Sequence, residues 1–213
     1  MLKIYQTHSG IKLSKDREGE YLERLPFAMR TAIQRYRHWE DRQASLFGKL
    51  LLQRALLCRN PEWGFSILER LDNRSRGKPF INGVPDFNIS HSGDIVTLAL
   101  VDDGTTGIDV EKIRPIQMDD FSKYLPEISA LDAFDMSARL NMFYACWTKK
   151  EAVLKGEGSG LHVPLEQVEL YGSIAFFRDQ VWHLEEVNFG AEYCCHVATS
   201  ELQTGGCVEV VYF

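Results

Sequence analysis

The sequence has no run of about 18 apolar residues and no amino-terminal apolar core of a secretory leader, which excludes a spanning helix and points to a cytoplasmic protein. Its five cysteines form no CxxC pair and cannot all pair. A disulfide framework is therefore not expected, and reduced thiols are. Adjacent Cys194 and Cys195 point to opposite faces of a strand. A metal site from Cys194, Cys195 and His196 would need a fourth ligand, and Cys207 is isolated, so strand packing is their expected role. Positive charge is also lacking: 24 Lys+Arg against 30 Asp+Glu give a net charge of -6, which argues against a surface built to grip nucleic acid. No P-loop or dinucleotide fingerprint occurs, and no Gly-x-Ser-x-Gly elbow surrounds Ser90, so a hydrolase nucleophile there is poorly supported.

What is present is an ordinary globular composition, 45% hydrophobic and 25% charged over 213 residues, enough for one substantial core or two small ones. From Glu20 to Cys58 the texture is helical with a break near His38–Asp41. The second helix carries Leu46, Phe47, Leu50, Leu51, Ala55 and Leu57 at helical intervals, and Asn60-Pro61 stops it. A strand is expected at 65–71, then turn clusters at 72–79 and 82–85. Three short strands at 87–90, 95–101 and 107–113 follow, the last two read as a hairpin through Asp102-Asp103-Gly104-Thr105-Thr106. A long helix at 137–155 and strands over 168–213 complete the chain. The outline of 95–113, strand, Gly-containing turn, strand, recurs at 193–213. Two similar halves, 1–114 and 115–213, are one reading and a single α+β sheet without duplication is the other.

Three constellations could carry chemistry. In Gly107-Ile108-Asp109-Val110-Glu111, strand alternation puts Asp109 and Glu111 on one face, their Cα atoms about 7 Å apart. Oxygen ligands of this kind suit Mg2+, although a solvated strand face would look the same. In Trp147–Lys155, helical spacing puts Trp147, Glu151 and Lys155 on one stripe, and an i,i+4 salt pair is the plain alternative. Gly156, Gly158 and Gly160 then form a cap or a close backbone approach for a ligand. In Asn88-Ile89-Ser90-His91-Ser92, Ser90 and His91 are placed near Asp109, where a lone histidine is commonly structural. Arg30, Arg35, Arg37, Arg42 and Lys49 make the helices locally basic, as Arg74, Arg76 and Lys78 do the turn. A cationic rim beside a carboxylate-held metal suggests a phosphorylated ligand.

Taken together, Gly77-Lys78-Pro79, Phe87-Asn88-Ile89-Ser90-His91-Ser92, Gly107-Ile108-Asp109-Val110-Glu111 and Trp147-Thr148-Lys149-Lys150-Glu151-Ala152 through Lys155 to Gly158-Ser159-Gly160-Leu161 resemble the surfactin-synthetase-activating (Sfp-type) 4'-phosphopantetheinyl transferases. The resemblance covers the middle of the chain in the family's motif order. It implies the family's α+β fold, a pseudo-twofold pair of similar α+β halves with the site between them. It also implies Mg2+-dependent transfer of phosphopantetheine from coenzyme A to a serine of an apo acyl or peptidyl carrier protein, releasing adenosine 3',5'-bisphosphate. Mg2+, or Mn2+ in its place, would be held by Asp109, Glu111 and Glu151. Glu151, directly or through a metal-bound water, would be the base for the carrier serine, Lys155 would neutralise or protonate the departing phosphate, and His91 joins the catalytic set. Ser90, His91, Lys155, Lys78 and Pro79 would contact coenzyme A, with Arg35 and Arg42 among the candidates for its 3'-phosphate; Ala44 stands where a cation would be expected. Carrier docking is expected at Lys112, Phe121, Lys123 and Leu125. A monomer is expected, with neither nucleic acid nor membrane as partner. Two further readings are a non-catalytic coenzyme A or carrier-protein binding module and a metal-dependent nuclease or phosphatase, the latter lacking further acidic clusters and a basic surface.

Overall fold

In a computed structural model the described residues are 1–73, 77–117, 121, 125, 135–160, 163–203 and 205–213. The expected basic turn residues Arg74 and Arg76, the docking candidate Lys123 and the motif terminus Leu161 lie outside them. The chain is α+β. After strand β1 (Leu2–His8) come helices α1 (Lys15–Glu23), α2 (Phe27–Gln34) and α3 (Trp39–Arg59). Ser14 caps α1 by accepting from Arg17 N–H, Pro26 opens α2, and Asn60 before Pro61 ends α3. The helical stretch is thus broken twice, at Arg24–Pro26 as well as at His38. The apolar stripe of α3, including Leu46, Leu50 and Leu51, lies against the first sheet with almost no exposure, each leucine contributing about 1.5–3 kcal/mol.

The expected strand at 65–71 is instead a 3-10 helix, Phe65–Arg70. Its turn packs the neighbours Ile67 and Leu68 together into the same core as α3. Short strands β2 (Asp72–Asn73) and β3 (Pro79–Phe80) pair with each other.

The expected 95–113 hairpin also gives way. The hairpin is formed by β4 (Asp86–Ser92) and β5 (Ile95–Val101), which turn tightly through Gly93 at φ 55°. Strand β5 has β1 on its other edge, so neither edge remains for β6 (Thr106–Lys112), which crosses to a second sheet. That sheet runs β6, β10 (Tyr193–Thr199), β9 (Gln180–Glu186), β8 (Ile174–Phe177), β7 (Glu169–Tyr171), after helix α4 (Met136–Glu157). The last strand, β11 (Cys207–Val210), returns to the first sheet and lies parallel to β1. Each sheet therefore receives a strand that follows, in sequence, a strand of the other. Leu2, Ile4, Ile95 and Ala99 from one sheet and Ile108, Val110, Cys195 and Val197 from the other form the core between them.

Strands β4 and β6 belong to different sheets, yet they are zipped together. Alternate β4 side chains accept from alternate β6 backbone N–H groups: Asp86 Oδ2 from Thr106 at 2.8 Å, Asn88 Oδ1 from Ile108 at 3.0 Å, Ser90 Oγ from Val110 at 3.3 Å, Ser92 Oγ from Lys112 at 3.0 Å. This ladder satisfies an edge that would otherwise bury orphan donors. Among the described residues no helix is long and apolar enough to cross a membrane.

Candidate active site

The ladder brings β6 to β4, and a glycine brings α4 to β6. A Cβ built on Gly107 would lie 1.9 Å from Ala152 O and 2.3 Å from Gly156 N, so α4 rests on bare backbone there. This contact and the strand register carry Glu151 and Lys155 over the face of β6 that presents Asp109 and Glu111. Lys155 reaches across the gap, its Nζ 2.5 Å from Asp109 Oδ1 and 3.0 Å from Ser90 Oγ. The Ser90 hydroxyl donates to Asp109 Oδ1 at 3.1 Å, and the Ser92 hydroxyl donates to Glu111 Oε2 at 2.8 Å.

Burial raises all three carboxylates, and the charge of Asp109 adds to the rise of the other two. Burial raises the pKa of Asp109, opposed by Lys155. Burial raises Glu111, opposed by the bond from Ser92 and reinforced by Asp109. Burial, then the charge of Asp109, pushes Glu151 up to about 7, with Lys155 opposing. Asp109 Oδ2 and Glu151 Oε1 are buried with no hydrogen-bond partner among the described residues. Among those residues no three His, Cys, Asp or Glu side chains already close as a metal cage. The donor set nevertheless fits a hard divalent cation: all ligands are oxygen, two are buried without partners, and a positive charge relieves their repulsion.

His91 points to the opposite face of β4 from Ser90, toward α3, while staying within electrostatic reach of Lys155 and Asp109. It borders a groove of about 230 Å³ with Tyr36, Ser45, Lys49 and Pro79. A neighbouring groove of about 430 Å³ shares Tyr36, Ser45 and Lys49 and adds Arg35. Although His91 keeps an exposed edge, desolvation and then Lys155 lower its pKa. Burial likewise lowers that of Lys49, which makes no hydrogen bond or ion pair among the described residues.

Residues 15–102 match the family described as 4'-phosphopantetheinyl transferase, N-terminal, and residues 105–207 match the 4'-phosphopantetheinyl transferase superfamily. The chain is 31% identical over 208 residues to the 4'-phosphopantetheinyl transferase Sfp of Bacillus subtilis, covering 96% of this chain and 89% of that protein. The chain belongs to the 4'-phosphopantetheinyl transferase family. It is thus an enzyme of the transferase class. It is also 38% identical over 126 residues to the transferase AcpT of Salmonella typhi, covering 55% of this chain and 60% of that protein. With the L-aminoadipate-semialdehyde dehydrogenase-phosphopantetheinyl transferase of Xenopus laevis it shares 26% over 195 residues, 76% of this chain and 64% of that protein.

Other residues singled out from the family motifs are placed as follows. Pro79 and Arg35 line the grooves beside His91. Arg42 is turned away, its Nε 2.7 Å from Glu18 Oε1 on α1. The Lys78 ammonium is almost fully enclosed, giving its protons to Asp86 Oδ2 at 2.5 Å, Thr106 O at 2.8 Å and Gly156 O at 3.1 Å. It therefore clamps β4, β6 and α4 together. Ser90 has its one proton on Asp109 while it accepts from Val110 and Lys155, so it faces the carboxylates and not the groove. Leu125 is fully buried with Phe143 and Tyr144, which removes it from a docking surface, and Phe121 packs edge-on against Phe143 and Trp147. Lys112 pairs with Asp94 and lies over Tyr193.

Of the basic helix residues expected to form a cationic rim, Lys49 lines both grooves, although it was not among the residues assigned to coenzyme A. Its signal was a lysine on the stripe that continues Ser45, one turn below, beside Gly48, where a Cβ would stand 3.1 Å from Ile89. Cys194 and His196 face α4, where Thr148 Oγ1 lies 2.7 Å from His196 Nδ1, whereas Cys195 joins the core between the sheets. Burial raises both thiols, which disfavours thiolates.

Proposed function

We propose that this enzyme transfers the 4'-phosphopantetheine moiety of coenzyme A to a serine of an apo acyl or peptidyl carrier protein, with adenosine 3',5'-bisphosphate as the other product. The observation that carries the reading is that buried Asp109, Glu111 and Glu151, all with raised pKa, lie within electrostatic reach of one another and of Lys155, which bonds Asp109. Asp109, Glu111 and Glu151 would hold Mg2+ or Mn2+. When bound, the ion polarises phosphoryl oxygens and offsets charge that develops during in-line displacement.

The chain's own groups supply the rest. Glu151, buried within electrostatic reach of Asp109 and Lys155, would take the proton from the serine hydroxyl as the serine oxygen bonds to phosphorus. The phosphorus bond to the nucleotide phosphate then breaks, and Lys155 neutralises or protonates the oxygen that leaves. The grooves beside His91, lined by Lys49, Arg35, Ser45, Tyr36 and Pro79, would take the nucleotide and its phosphates, with Lys49 supplying the cation missing at Ala44. The site draws on residues before and after position 114. A monomer built of related halves 1–114 and 115–213, acting in the cytoplasm and independent of nucleic acid, is consistent with it.

Incubating the protein with coenzyme A, Mg2+ and a panel of apo carrier domains should add one phosphopantetheine unit by intact mass spectrometry. No mass gain on any carrier, with coenzyme A still bound, would instead identify a binding module.

A further inference from the structure

The last rung of the β4–β6 ladder ends on a carboxylate. Ser92 Oγ accepts from Lys112 N–H at 3.0 Å and donates to Glu111 Oε2 at 2.8 Å. A serine hydroxyl has one proton and two lone pairs. The β6 backbone donor therefore pins the oxygen, and its proton is left for Glu111. The two strand carboxylates differ in how much they need this. Asp109 is short, 3% exposed, and held by both Lys155 and Ser90. Glu111 is only half-buried and longer, with more rotamer freedom to lose on being fixed.

We propose that Ser92 is a positioning residue for Glu111, holding that carboxylate in the orientation that receives the divalent cation and so setting the cation affinity of the site. This rests on the metal-holding role assigned above to Asp109, Glu111 and Glu151. The Ser92 hydroxyl is spent on the Glu111 carboxylate and the Lys112 backbone N–H. It acts through Glu111 alone, as partners behind a ligating carboxylate commonly do, with effects of about 10- to 100-fold on affinity when removed. The link also ties the cation site to the joint between the sheets, because the same hydroxyl belongs to the ladder.

The test is Mn2+ titration, read by the electron paramagnetic resonance of free Mn2+, into protein saturated with coenzyme A, with coenzyme A alone as the blank. Ser92→Ala should weaken Mn2+ binding about tenfold. Ser92→Thr, which keeps the hydroxyl, should restore it, and in a Glu111→Gln background Ser92→Ala should have almost no further effect. Thermal unfolding in EDTA separates a structural role: a lower melting temperature with unchanged Mn2+ affinity overturns the proposal. So does an equal loss of affinity in the Glu111→Gln background. If Ser92→Ala does not fold, Ser92→Cys, which keeps the volume and donates weakly, takes its place with the same expectations. Wild-type protein that takes up no Mn2+ overturns the metal reading itself and this proposal with it, whereas wild-type binding matched by Ser92→Ala overturns this proposal alone.

Discussion

Lys155 Nζ stands 2.5 Å from Asp109 Oδ1, joining the long helix of one sheet layer to the strand that crosses between sheets. The pair is unequal: the Lys155 side chain is 28% exposed and that of Asp109 only 4%. Asp109 depends on the contact to stay charged, since burial raises its pKa and Lys155 opposes that rise. A cation bound at Asp109 would compete for the same charge and free the ammonium to meet substrate.

Lys155→Met should therefore lower kcat about 100- to 1000-fold, the usual cost of losing one charge-stabilising donor. Circular dichroism should remain that of the folded protein, because the lysine is partly solvated and α4 keeps its packing. Retained turnover would remove Lys155 from the chemistry.

Gly107→Ala should be among the most damaging small substitutions in the molecule. The added methyl meets the Ala152 carbonyl at 1.9 Å, so β6 and α4 must separate, at a cost of about 3 kcal/mol or more. Urea unfolding measures the loss, and turnover should fall with it because Glu151 and Lys155 move away from Asp109. Gly19→Ala in α1 meets nothing within 4 Å and should instead gain up to about 1 kcal/mol.

Lys78→Met separates a clamp from a ligand contact. With the ammonium gone, buried Asp86 and the carbonyls of Thr106 and Gly156 lose a shared donor, and stability should drop by about 3–5 kcal/mol. Unchanged stability with weakened coenzyme A binding, read by calorimetry, would return Lys78 to the cofactor set that the motif implies.

His196 gives a pH dependence of definite sign. Burial, then the charge of Lys149, lowers its pKa to about 4, below the usual 6.5. It meets Thr148 and Cys194 and stands in register between Asp109 on β6 and Glu186 on β9, and it forms no ion pair with either among the described residues, so burial and Lys149 outweigh their pull. Between those values the unfolded chain binds the proton and the folded chain does not, so stability falls as pH drops from 6.5 toward 4 and is fully present above 6.5. Glu151 contributes in the opposite sense, since its raised pKa makes its contribution fall as pH rises toward about 7. The measurement is accordingly a difference: His196→Asn minus wild type, by urea unfolding at pH 5 and pH 7.5. The wild type should lose more on acidification, by about 2–3 kcal/mol.

Much of the site was legible in one dimension. Alternation alone put Asp109 and Glu111 on one face, and helical spacing alone put Glu151 and Lys155 on one stripe, because side-chain direction follows from local dihedrals. The ends of α3 at Asn60-Pro61 and the long α4 were legible for the same reason. What failed were statements about partners. The Asp102–Thr105 link looks like a hairpin turn whether the next strand folds back or crosses over, and local pattern does not record that β5 has both edges occupied. His91 does stay within electrostatic reach of Asp109, but period two turns its ring to the other face of β4 from Ser90, toward the groove against α3. Lys78 and Arg42 read as cations for a ligand, and only distance shows that Asp86 and Glu18 hold them.

The amino-acid order by itself determined most of the elements, the acidic face of β6, the stripe of α4 and the family they spell, since each depends on residues within a few positions of one another. Tertiary structure alone decided that β5 and β6 part company, that Ser90 and Ser92 serve the two strand carboxylates and the joint between sheets, and that Lys155 meets Asp109. Backbone edges and hydroxyls are generic donors and acceptors, so their partners are set by which surfaces the whole chain can bury together.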